Sequence, residues 1–155
     1  MVPSPAMTQT TLTSSAGVPS RRELQQALQS LDPSGIVSVY LFGSQAEGRQ
    51  HRESDIDLGV LLHHGAHPSR RERFDARIRL SSILPQRLGG RRVDVVILND
   101  APPELARHIV TRGVRLLCAD AEVDHAFVRD AQLRAADIAP FLRRARAAKL
   151  AAIAR

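Results

Sequence analysis

The 155-residue chain predicts an α/β (α+β) fold: a mixed β-sheet flanked by helices, with a further helix at the C-terminus. Three observations lead there. Runs rich in β-branched and apolar residues over 36–42, 55–62 and 93–98 read as strands. Segments with helical spacing separate them, so strands and helices alternate. The stretch from Ala121 to Arg155 reads as helix almost throughout.

Residues 1–19 are a polar Ser/Thr/Pro leader, expected to be disordered, with Met7 as a second candidate start. The leader lacks the charged start and apolar stretch of a secretory signal. A single domain is expected over 20–155. Ser20-Arg21-Arg22-Glu23 is a capping box that opens a short helix to about Leu31, and Asp32-Pro33-Ser34-Gly35 ends it. Ile36 to Phe42 is the first strand. Ser44 to Gly48 reads as one helical turn, Arg49 to Ser54 as a polar loop, and Asp55 to Leu62 as the second strand. From Ser69 to about Leu88 the spacing of Phe74, Ile78, Leu80 and Ile83 predicts a helix with its end weakened by Pro85.

Gly89-Gly90 turns the chain into a third strand, Val93 to Leu98. Pro102-Pro103-Glu104 starts another helix, with Leu105, Ile109 and Val110 facing inward and Gly113 in the C′ position. Val114 to Cys118 is a short edge strand, with Cys118 as a small core residue at its end. Pro140 is expected to kink or restart the last helix. The Ala/Arg-rich tail, Phe141 to Arg155, is either packed on the sheet with a solvated basic face or a partner-docking helix.

Composition narrows the function. The formal charge of +6 invites a nucleic-acid reading. However, the basic residues are almost all arginine, with Lys149 the only lysine, and they are scattered among acids. Aromatic residues make up only 3% of the chain, too few for a base-stacking platform, so direct nucleic-acid binding is not expected. No run approaches the roughly 18 apolar residues of a membrane span. The single Cys118 excludes an intrachain disulfide, and a cytoplasmic location is expected. His63, His64 and His67 sit with Gly65 and Pro68 and no nearby cysteine, which favours a solvated loop over a zinc site.

The chemistry concentrates in Leu41 to Leu62, LFGSQAEGRQHRESDIDLGVLL. In a strand, residues two apart share a face and stand about 7 Å apart, so Asp55 and Asp57 point together while Ile56 enters the core. Two such carboxylates raise each other's pKa, and a divalent cation turns that repulsion into binding. Oxygen ligands of this kind suit Mg²⁺, which keeps waters and substrate phosphates in its other positions. Asp94 lies in an otherwise apolar strand. Beside the second strand it completes a three-carboxylate set able to hold two metals about 4 Å apart for in-line displacement at phosphorus; otherwise it is a salt-bridge partner of Arg91 or Arg92. Gly43-Ser44, at the strand end, allows phosphates close to the backbone, or else is an ordinary turn.

Gly43-Ser44, ten residues, then Asp55-Ile56-Asp57 resembles the signature of the minimal nucleotidyltransferases, within the DNA polymerase β-like superfamily. Asp94 looks like that superfamily's third carboxylate. The run from Val93 to Leu105, followed by Gly113, is similar to the MntA-type antitoxins of HEPN/MNT toxin–antitoxin pairs. The resemblance implies the nucleotidyltransferase fold and transfer of AMP from ATP, with Mg²⁺, to a tyrosine hydroxyl of a HEPN ribonuclease toxin. It also implies a hetero-oligomer with that toxin. Asp55, Asp57 and Asp94 would be metal ligands, Asp94 also helping to deprotonate the tyrosine, while Gly43 and Ser44 bind the triphosphate. Glu47 departs from the pattern, since many relatives carry a basic residue there; Arg49 or Arg52 is expected to supply the missing charge. Two other functions compete: an antitoxin that masks its toxin stoichiometrically, and a small-molecule nucleotidyltransferase, which usually needs an added helical domain.

Overall fold

A computed structural model describes residues 18–32, 34–48 and 55–154. Most of the expected leader and the whole 49–54 loop, with Arg49 and Arg52, lie outside the described residues. The elements run α1 (Arg21–Gln29), β1 (Ile36–Phe42), β2 (Ile56–Leu62), α2 (Arg70–Arg87), β3 (Val93–Ile97), α3 (Pro103–Arg112), β4 (Val114–Cys118) and α4 (Ala121–Ile153). The sheet is mixed, in the order β3-β2-β1-β4. β1 runs antiparallel to both β2 and β4, and β2 runs parallel to β3. Among the described residues no helix is long and apolar enough to cross a membrane.

Alternation along the strands feeds two cores. Ile56, Leu58 and Val60 of β2 join Val95 and Ile97 of β3, Leu24 and Leu28 of α1, and Ala76, Leu80 and Leu84 of α2. The intervening positions face the other way, where Leu61 packs with Val37, Tyr40, Leu98 and Ile109 under α3 and α4. Asn99 ties the far end of the sheet, donating from Nδ2 to Leu62 O and accepting from Leu62 N, both at 2.9 Å. Ser20 and Ser69 each cap their helix with a reciprocal glutamate three residues on, Glu23 and Glu72.

The expected elements are present, with six local differences. The second strand begins at Ile56, leaving Asp55 just outside it. The segment after β1 is a three-residue 3₁₀ turn, Gly43–Gln45, followed by a turn to Gly48. Gly113 is the C-cap residue in extended backbone, φ −72°, rather than a left-handed C′ residue. Cys118, at the end of the edge strand β4, is exposed and not a core residue. α4 continues through Pro140 as one helix. A proline there removes one N–H bond, and on this exposed stretch water can serve the freed carbonyl.

The sixth difference concerns α2. The residues it buries are Ala76, Leu80 and Leu84, spaced four apart. Phe74 and Ile78 are each 54% exposed, and Ile83 is exposed as well. Residues two apart lie about 200° apart around a helix, so Phe74 and Ile78 are turned away from the stripe that carries Ala76 and Leu80. Helical spacing identified the helix but not its inward side.

α4 is fastened to the sheet by a buried polar cluster. Asp124 is completely buried and accepts hydrogen bonds from Ser38 Oγ (2.6 Å), Tyr40 OH (2.8 Å) and Arg115 (2.8 Å). An irregularity in the β1–β2 register between Ile36 and Ser38 lets neighbouring Val37 and Ser38 both serve this side of the sheet. Removing the carboxylate in Asp124→Ala strands two hydroxyls and a guanidinium and is expected to lower unfolding free energy by about 3 kcal/mol in urea titration. Burial, and then the bond to Asp124, raise the Tyr40 pKa above its ordinary 10.0. The protonated phenol therefore contributes stability that is full below pH 10 and is lost as pH rises beyond it. The urea midpoint is expected to fall above pH 10, and to fall less steeply in Tyr40→Phe.

Candidate active site

Three chain segments meet at one end of the sheet: the C-terminal end of β1 and the N-terminal ends of β2 and β3. Asp57 is paired in register with Asp94 on β3 and with Phe42 on β1. Paired residues on adjacent strands point to the same face, with strands about 4.8 Å apart, so Asp57 and Asp94 project side by side. Their face is the one covered by α3 and α4 further along, and Ile56 between the aspartates is fully buried on the opposite face. The apolar side of β2 thus anchors the acidic side.

Burial raises the Asp57 pKa most, followed by the charges of Asp94 and then Asp55. Among the described residues no cation forms an ion pair with Asp57. Asp55 has Arg92 at 3.6 Å and Asp94 has Arg77 at 3.8 Å. Both pairs are loose and solvated, worth about 0–1 kcal/mol at most. The salt-bridge alternative for Asp94 thus holds in part, but with Arg77 of α2 instead of Arg91 or Arg92. No three His, Cys, Asp or Glu side chains among the described residues stand as a ready-made metal cage. The donor set fits a hard cation by its chemistry, three carboxylates with one deprived of a counter-charge. Closing it requires Asp55 and Asp94 to exchange weak arginine contacts for a shared ion.

Gly43 sits against this cluster. Its φ is +73°, and a Cβ there would overlap Asp57 Oδ2. The turn that follows folds back on the aspartates: Glu47 N donates to Gly43 O at 3.2 Å, and buried Gln45 donates from Nε2 to Asp55 O at 3.4 Å. Ser44 is half-buried in the same turn, and Glu47 is exposed. Gly43, Ser44, Asp55, Asp57 and Asp94 are therefore gathered at one end of the sheet, whereas Arg49 lies outside the described residues. His63 lies away from this end of the sheet, held by Asp120 at 3.1 Å.

Sequence reasoning missed Arg77 and Gln45, and it paired Arg92 with Asp94 where the structure pairs it with Asp55. Arg92 precedes the third strand and was readable as a counter-ion, though for a different aspartate. Arg77 carried no signal, because its relation to Asp94 arises only when α2 packs beside β3. Gln45 looked like any turn residue.

The family model for "Polymerase beta, Nucleotidyltransferase" matches residues 22–122, a span that holds the glycine turn and all three aspartates. The chain belongs to that family. It is 39% identical over 80 residues to Protein adenylyltransferase MntA of Shewanella oneidensis, covering 50% of this chain and 51% of that protein. The match thus spans about half the length of this curated relative. Its fold is similar to a toxin–antitoxin crystal structure with AMP-PNP, at 27% identity and TM-score 0.62, covering 88% of this chain and 100% of that one. A variant of the toxin–antitoxin pair MntA–HpeT is similar at 26% identity and TM-score 0.61, over 89% and 100% of the two chains.

Gly43→Ala is expected to destabilise the chain by about 1–3 kcal/mol through its left-handed backbone, and further through displacement of Asp57. Gly48→Ala, also at positive φ but with nothing within 4 Å of the added Cβ, should show only the backbone part. Urea titration of the two variants makes the comparison, and equal losses would contradict contact between Gly43 and Asp57.

Proposed function

We propose that this protein is an antitoxin that transfers AMP from ATP to a tyrosine hydroxyl of a cognate HEPN ribonuclease toxin, and so silences it. The observation that carries the reading is the register of Asp57 with Asp94, with Asp55 two residues away and Gly43 packed against Asp57. The similarity to an adenylyltransferase and to toxin–antitoxin structures, one of them with an ATP analogue, supports the same reading.

Asp55, Asp57 and Asp94 are assigned as the magnesium ligands. Mg²⁺ held by these carboxylates would supply charge neutralisation at the phosphate oxygens and would favour the ionised form of the attacking hydroxyl. The backbone at Gly43 and the Ser44 hydroxyl hold the β- and γ-phosphates, and Arg49, five residues on in the sequence, adds positive charge. Asp94, at the outer edge of the sheet, faces the acceptor and takes up the tyrosine proton. The tyrosine oxygen forms a bond to the α-phosphorus as the bond from that phosphorus to the β-phosphate oxygen breaks. AMP remains on the toxin and pyrophosphate leaves.

Incubation with ATP labelled at the α-phosphate, Mg²⁺ and the HEPN toxin should transfer label to the toxin and release pyrophosphate. Asp57→Asn is expected to reduce transfer by more than about 100-fold, the upper end of what loss of an outer-sphere partner alone costs. If the variant still silences the toxin as a stoichiometric complex, masking and not transfer neutralises it. Chelation of Mg²⁺ should stop labelling of the toxin by the wild-type chain and, by removing a ligand of the folded state, lower its urea midpoint slightly.

A further inference from the structure

Beside Asp94, a cavity of about 280 Å³ wraps the outer edge of β3. Its walls include Arg70, Phe74 and Arg77 of α2, Val96 of β3, and Pro102 and Leu105 at the start of α3. This volume lies just below the roughly 300–1,000 Å³ of small-molecule pockets and suits one or two amino-acid side chains better than a nucleotide. Phe74 continues outward along α2 to Ile78, one turn on and equally exposed. Exposed Phe and Ile on one helix face, away from the buried Ala76, Leu80 and Leu84, form an apolar strip that the fold itself does not use.

The charge around the cavity is one-sided. Asp100, the one acid among the described lining residues, is held by Arg73 through two bonds of 2.9 and 2.7 Å and offers little to a ligand. Arg70 and Arg77 are the cations at the rim, Arg77 already shared loosely with Asp94 at 3.8 Å. Arg77 also connects the cavity to the reaction end of the sheet, donating from Nε to Val95 O at 2.8 Å and lying 3.8 Å from Asp94. A segment seated here would therefore reach Asp94 within a few residues.

The geometry points to this groove as the docking site for the segment of the acceptor protein that flanks the modified hydroxyl. The segment it fits carries an apolar side chain for the cavity and a carboxylate for Arg70 and Arg77. The assignment rests on the AMP-transfer reading for its biological partner, but it is read by binding alone.

The test uses the full chain and two fluorescent synthetic tyrosine peptides. One carries Glu and Leu near the tyrosine, and in the other Lys replaces the Glu. Arg70→Glu and Phe74→Ser alter exposed or rim positions, and an acid in the first turn of α2 suits the helix dipole, so both variants should fold. Fluorescence anisotropy should show the acidic peptide binding, with affinity about tenfold lower in each variant. The Lys peptide should regain affinity on Arg70→Glu, while affinity for a non-hydrolysable ATP analogue stays as in the wild type. Failure of the acidic peptide to bind, equal binding of the two peptides, or unchanged affinity in both variants overturns the assignment. A loss of ATP-analogue affinity with peptide binding intact gives the cavity to the nucleotide. A dimer that both substitutions dissociate gives it to a second copy of the chain. Either result also overturns the assignment. If wild-type protein binds the acidic peptide but labels no toxin, the transfer reading fails and the groove stands.

Discussion

Parallel pairing of β2 with β3 is the constraint on which the rest depends. It brings Asp57 beside Asp94 although 36 residues intervene, and it does so against electrostatic repulsion. The opposing force lies on the other face of the same strands. Ile56, Leu58 and Val95 are fully buried there, and a fully buried aliphatic side chain contributes about 1.5–3 kcal/mol. A slip of one residue in either strand would expose these side chains and turn the acids inward. Hydrophobic burial thus fixes the register, and the register concentrates negative charge at one end of the sheet.

The helices leave that end open. α3 and α4 cover the face only beyond the aspartates, where Leu61, Leu98 and Ile109 replace acids with apolar side chains. α4 is held in place by Asp124, which gathers Ser38 and Tyr40 from β1 and Arg115 from β4 into one buried cluster. Tight fastening at this cluster and openness at the carboxylates coexist because they lie in different parts of the face. The packed part ties α4 to the sheet, while Asp55 and Asp94 have only loose arginine contacts at 3.6 and 3.8 Å.

α2 contributes to both the core and the surface near the site. Its small inward residue Ala76 lets the helix approach the sheet, and Arg77 next to it reaches the outer edge of β3. An edge strand is an exposed template for pairing with another chain, and a guanidinium on its carbonyl blunts it. The same arginine lines the Phe74 cavity and lies 3.8 Å from Asp94, so the carboxylate cluster and the cavity share one side chain.

Much of this was legible in the residues alone. The β-branched runs located all four strands, including the short edge strand Val114–Cys118, and Ser20 with Glu23 marked the start of α1. Asp57 revealed its face, opposite Ile56, because alternation is a property of a single strand, whereas Asp55 falls just outside β2. Those signals are local, set by backbone period and capping chemistry within one segment. The inward side of α2, the exposure of Cys118, the Asp124 cluster and the arginines beside Asp55 and Asp94 were decided only when the segments packed. Each depends on which surfaces meet across long separations in the chain, and the period of one segment carries no record of its neighbours.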